Sequence, residues 1–194
     1  METNQISVTF ENIAGNITTH PTYMAIDLGG TRYPAAKPEH ENVLDKVMTY
    51  TPYAMGSLAL NAGQIVMADE AAHPFLTLAT SAIKKVQLGI YQTMVRSWGM
   101  VVPFENQLTL NLVITTEHDT YDLLNTDLNV LPVLVAWLQE QAITIEDPMK
   151  LQAIMSTTDW ANVKWADIEK LAQGTAYEIP NQMIGAAAPT QKNQ

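Results

Sequence analysis

Two stretches of the chain alternate apolar and polar residues with the period of a half-buried strand. The first is Ile6, Val8 and Phe10, with Ala14-Gly15-Asn16 as a turn and Ile17-Thr18-Thr19 running back. The second, and clearest, is Leu108, Leu110, Leu112 and Ile114, interleaved with Thr109, Asn111, Val113 and Thr115, after a turn at Glu105-Asn106-Gln107. Tyr23 to Leu28 is a further strand, ended by Gly29-Gly30, and a loop is expected over 29–40. Ser57–Leu60 and Gln64–Met67 read as a hairpin around Asn61-Ala62-Gly63.

Other stretches carry helical spacing. Val43, Leu44, Val47 and Met48 suggest a helix over 41–48 that Pro52 stops. The strongest helical pattern is Leu76, Ala79, Ile83, Val86, Ile90, Met94 and Trp98, with Pro74 suited to a first turn and Gly99 to a terminator. Thr120 to Gln141 reads as a helix broken at Pro132, with Asn129 capping its second piece. Asp147-Pro148 is a cap followed by a first-turn proline, and Thr158-Asp159 opens a last helix closed by Gly174. The expected fold is α+β: N-terminal and central antiparallel strands packed with one long central helix and a C-terminal group of helices. Residues 1–184 form one domain in this reading, and 185–194 a flexible tail.

Composition narrows the function. The chain has 194 residues, and only 15% are charged, where roughly 25% is usual. Thr, Asn and Gln number 21, 12 and 12, so the polarity is mostly neutral. There is no cysteine, which excludes disulfides and thiolate chemistry. No apolar run approaches the ~20 residues a bilayer-spanning helix needs, and METNQISVTF has no signal-peptide pattern. Synthesis in the cytoplasm, with no membrane partner, is the expectation.

The net charge of −10 and two arginines argue against a grip on nucleic acid, which needs clustered bases. Between Arg96 and Lys150 there is no Lys or Arg, but eight acids: Glu105, Glu117, Asp119, Asp122, Asp127, Glu140, Glu146 and Asp147. They read as a solvated acidic face, or as a wall that repels DNA or meets a basic partner.

Three clusters suggest chemistry. Asp27-Leu28-Gly29-Gly30-Thr31 resembles the first phosphate loop of sugar kinases and the actin-like ATPase fold, which would imply backbone amides facing phosphate. Tyr33-Pro34 departs from that pattern, and a two-glycine turn explains the same residues. His73, His118, Asp119 and Asp159 or Asp167 follow the ligand order of HD-type metal phosphohydrolases, a family that is all-helical. A polar turn with Asp119 or Thr120 as an N-cap is the competing reading. Glu39-His40-Glu41 is a third possible ligand cluster, but consecutive residues at a helix start point in different directions, and an acidic first helical turn explains them.

With no catalytic pattern outweighing its plain structural explanation, the leading expectation is a non-enzymatic structural or assembly subunit. It would have no cofactor and no metal, and its partners would be copies of itself or other structural proteins. Trp137, Trp160 and Trp165 are the candidate interface anchors. Chains of this composition suggest a bacteriophage virion component of the tail, neck or capsid-associated kind. The alternatives are an HD-like metal-dependent phosphohydrolase using His73, His118 and Asp119, or a small-ligand-binding module with an apolar pocket between sheet and helices.

Overall fold

The computed structural model describes residues 10–18, 21–36, 54–96 and 104–178. In chain order these form α1 (Phe10–Asn16), β1 (Thr22–Leu28), β2 (Thr31–Tyr33), β3 (Met55–Asn61), β4 (Gln64–Asp69) and β5 (Pro74–Ala79). A 3-10 turn (Thr80–Ala82) leads to β6 (Lys85–Arg96), β7 (Phe104–Thr115) and β8 (Thr120–Asn125). Then come α2 (Val130–Glu140), β9 (Ile145–Glu146), α3 (Leu151–Ile154) and α4 (Trp165–Ala172).

All nine strands belong to one mixed sheet, ordered β5-β4-β3-β1-β8-β7-β6-β9, with β2 paired to β1. Two antiparallel meanders, β3-β4-β5 and β6-β7-β8, are joined by β1, which runs parallel to both β3 and β8. Six strand steps separate β5 from β6, about 29 Å in a flat sheet. Yet Ala79 and Lys85 are joined by a chain that reaches at most ~22 Å. The sheet therefore curls, bringing its two margins together. Gln141 Oε1 accepts the Gly63 N–H at 2.9 Å, tying the β3–β4 turn to the segment that enters β9.

Register sorts the side chains into two faces. Val86, Leu88 and Ile90 stand beside Ile114, Leu112 and Leu110, then Tyr121, Leu123 and Asn125. Met24, Leu58 and Met67 continue the same face through β1, β3 and β4. This face and α2 carry the core. Val130, Leu131, Leu134, Val135, Trp137 and Leu138 of α2 are buried. Pro132 is the third residue of α2 and breaks nothing, because the first-turn N–H groups have no intrahelical acceptor.

The long central helix expected over 74–98 does not exist. Pro74–Ala79 is an edge strand, and Lys85–Arg96 is a strand paired along its whole length with β7. The apolar residues at three- and four-residue steps also contain the alternation Val86, Leu88, Ile90, and pairing with the strongly patterned β7 selects it. Thr120–Asn125 is likewise a strand, not a helix, because it is the third member of that meander. The helices are four and short among the described residues, so the C-terminal helix group reduces to α3 and α4 after α2.

Smaller expectations also change. Phe10 opens a helix that runs through Ala14-Gly15-Asn16, and Glu105-Asn106-Gln107 lies inside β7. Residues 31–33 form β2 rather than loop. The last helix starts at Trp165, where the Asp167 carboxylate accepts the Lys164 N–H at 2.8 Å. Asp159 instead binds Ala161 N–H and the Asn162 amide in the turn before it. β1 and the β3–β4 hairpin are as expected, and Gly174 closes α4 at φ +75°. The strand at Ile6 and Val8, the helix over 41–48, Glu39-His40-Glu41 and the tail over 185–194 lie outside the described residues.

Candidate functional site

β1 has two successive neighbours on one side. β8 pairs with Thr22 and Tyr23, and β2 pairs with Ile26, Asp27 and Leu28. Where β8 departs, two backbone carbonyls would be left facing the gap. Asn125 fills it: its Nδ2 donates to Met24 O at 2.9 Å and to Tyr33 O at 3.2 Å. The next residue, Thr126, accepts the Ala36 N–H on Oγ1 at 2.8 Å. The parting of β8 and β2 leaves a crevice beyond the carboxyl end of β8.

A groove of about 830 Å³ occupies that crevice. One wall is Thr126, Asp127, Leu128 and Asn129, which lead into α2. The facing wall is Trp160, Val163, Lys164 and Trp165 from the segment before and into α4. Gln92 and Leu108, paired across β6 and β7, line it on the core face of the sheet.

Much of the polar lining is already engaged. Asp127 Oδ1 accepts the Asn129 backbone N–H at 3.1 Å and its Nδ2 at 2.9 Å. The Trp160 indole N–H donates to Met155 O at 3.2 Å, so its ring offers only apolar surface. Gln92 is the one largely buried polar residue of the lining, 8% exposed, on the core face of β6. Of the expected anchors, Trp160 and Trp165 line the groove, but Trp160 is buried in the core like Trp137 of α2, and Trp165 is the half-buried one.

A second polar cluster lies on the opposite face. Gln87 Nε2 donates to the Tyr177 hydroxyl at 2.9 Å, which donates to Asn111 Oδ1 at 2.9 Å. Asn111 Nδ2 then donates to Asp122 Oδ1 at 2.6 Å. The Tyr177 ring packs directly against Gly89, where a Cβ would stand 2.0 Å from it. Burial raises the Asp122 carboxyl to about 6, against the lowering effect of the Asn111 hydrogen bond. Burial also pushes the Tyr177 hydroxyl up, so it stays a donor. The cluster is closed and self-satisfied, and it fastens the segment after α4 to the sheet.

The eight acids do not make one wall. Glu117 and Asp119 are exposed in the β7–β8 turn, and Asp127 lies at the other end of β8, beside the groove. Asp122 is half-buried in β8, and Glu146 pairs with Lys85 at 2.9 Å. Asp147 accepts the Leu151 and Gln152 N–H groups at 2.8 Å, capping α3. Glu140 ends α2, and Glu105 stands in β7.

The metal-ligand candidates are also apart. His73 sits in the β4–β5 turn, its Nδ1 3.0 Å from Asp69 Oδ2, and its backbone N–H is the main cause of the lowered Asp69 carboxyl. His118 and Asp119 are in the β7–β8 turn, three strand steps or roughly 14 Å across the sheet. No group of three or more His, Asp or Glu side chains among the described residues is placed to hold a metal ion. Asp159 and Asp167 are used in local turns. Gly29-Gly30 is the two-residue turn of the β1–β2 hairpin, at φ +60° and +80°, with Arg32 on the Asp27 carboxylate at 2.9 Å. The strand after the turn, Thr31–Tyr33, is only three residues long and mostly exposed, short of the long apolar strand that the resemblance implies there.

Gln92 is the residue sequence reasoning missed. Once β6 is recognised as a strand, the signal is plain: Gln92 takes the next place after Val86, Leu88 and Ile90 on the apolar face. No helix among the described residues is long and apolar enough to cross a membrane. No protein-family model matches the chain, and no curated protein matches its sequence.

Proposed function

We propose that this chain is a non-enzymatic assembly subunit that meets its partner through the groove between β6–β7 and the Trp160–Trp165 segment. The observation that carries the reading is the groove itself: a concavity of about 830 Å³ at the parting of β8 and β2, walled by two tryptophans. Aromatic walls of this kind bury large area at low entropy cost and anchor protein contacts. The neutral-polar composition fits association, because few charges need desolvation. The virion setting rests on composition alone and adds no residue to the site.

The test is a photo-crosslinking amino acid placed at Ala166, exposed on the groove lining, in the full chain, with Glu140 as the control position. A discrete adduct from position 166 and none from 140 is expected, with the chain itself or another protein. A monomeric mass by light scattering at every concentration, together with no adduct from 166, would overturn the proposal.

The groove volume also falls in the range of small-molecule sites, which favours a ligand-binding module as the second reading. A small molecule that raises the melting temperature, without any protein adduct, would select it.

A further inference from the structure

A strand at the end of a sheet carries a row of main-chain donors and acceptors that no neighbour uses. β5 is such a strand. The curl brings the two margins together without pairing them, and β4 is the one strand beside β5 among the described residues. The Thr80 N–H donates to Gly63 O at 3.0 Å, on the β4 side. Strand alternation turns Leu78 to that side as well, and sends the N–H and C=O of Thr77 and Ala79 to the open side. No described residue bonds to them there, and both residues are exposed. The group that completes such an edge is another strand.

Edges are commonly guarded by charge, proline or a bulge. Here Pro74 and the irregularity opposite Met67 and Ala68 sit at the entry to β5 and leave 76–79 regular. Residues 74–83 carry no charge, in a chain of net charge −10. Charge appears only beyond the two ends, and with opposite sign: Glu70 in the turn before β5, and Lys84 after the 3-10 turn that follows it. Both are exposed, and neither has an ion pair among the described residues. Phe10, one of two exposed large hydrophobics among the described residues, stands edge-on to Phe75 with ring centroids 5.5 Å apart. The open strand therefore has apolar surface beside it.

These features select the partner. An antiparallel pair about a two-fold axis sets the Glu70 end of one strand at the Lys84 end of the other, and does so twice. The neutral middle lets two acidic chains meet with no like charges opposite each other along the strand.

We propose that β5 pairs antiparallel with β5 of a second copy of this chain, joining the two sheets across a two-fold axis at Leu78. Thr77 of each copy exchanges main-chain hydrogen bonds with Ala79 of the other. The contact is separate from the groove and does not rest on it.

The experiment is light scattering of the full chain across a concentration series, for the parent and four variants. The parent should pass from one chain to two as concentration rises. Thr77→Lys, at an exposed position, should weaken the dimer about tenfold or more by placing charge on the edge, with the melting temperature of the dilute protein unchanged. Glu70→Lys and Lys84→Glu should each weaken it about threefold, and the two together should restore it. Val133→Lys, at the other exposed large hydrophobic, is the control and should leave the dimer as it was. The chain has no cysteine, so register can be read directly. An equimolar mixture of Thr77→Cys and Ala79→Cys chains should oxidise to the mixed dimer in preference to either homodimer. A monomer at every concentration overturns the inference. So does a dimer indifferent to T77K, or one that T77K and V133K weaken alike. The adduct from position 166 should survive T77K, so failure of the edge contact and failure of the groove reading show separately.

Discussion

Asn111 and Gln92 are buried amides on the paired strands β7 and β6, facing opposite sides of the sheet. Asn111 is saturated: it accepts from Tyr177 and donates to Asp122 and to Leu123 O. Gln92 lines the groove, at 8% exposure, with no hydrogen bond to it comparable to those of Asn111. Burial alone therefore does not tell the two apart. A satisfied polar group specifies the fold, because losing it strands its partners. One at the wall of a groove contributes little to the fold in this way, which is what separates Gln92 from Asn111.

The largest effect that would break this contrast is at Gly89. Gly89→Ala drives a methyl into the Tyr177 ring, whose carbons stand 2.0–2.3 Å from that position. It should cost about 3 kcal/mol by overpacking, read as a lowered urea midpoint. Asn111→Ala comes next, at roughly 2–3 kcal/mol, since it leaves both the Tyr177 hydroxyl and Asp122 without this partner.

The same cluster predicts a pH dependence. Asp122 goes from an ordinary 3.8 to about 6 on folding, so the folded state holds its proton more tightly. The stabilisation is full below the unfolded value and is lost as pH rises through the folded one. Between about pH 4 and 6 the parent should lose roughly 2 kcal/mol relative to Asp122→Asn, then stay level. Parallel slopes for the two proteins in denaturant titrations would contradict this. The smallest effect is the most informative one. Gln92→Leu should leave stability unchanged or raise it by up to about 1 kcal/mol. A loss above that size would mean Gln92 belongs with Asn111 rather than apart from it.

What was legible in the sequence follows the same division. β7 and the β3–β4 hairpin are readable because alternation and a Gly63 turn act locally. β6 is not, because its apolar positions satisfy two periods at once, and only twelve paired residues of β7 decide between them. β8 is read as a helix for the same reason, since its strand character comes from its place in the sheet. Within the candidate site, the tryptophans were legible as large aromatics, and two of three line the groove. Gln92 was hidden inside the misread helix. The dispersal of the acids depends on which strand ends meet, and composition carries no information about that.

The place of β1 has a consequence for how the chain folds. It is the first described strand, yet it lies at the centre of the sheet, parallel to β3 on one side and to β8 on the other. Each meander can zip from local contacts as it emerges from the ribosome. β1 cannot gain its second neighbour until residues near Leu123 have been made, about a hundred positions later. Docking of the two meanders through β1 is then the slow step, as expected for non-local pairing. Until it happens, the nascent chain presents an unpaired central strand edge, which is where its misassembly would begin.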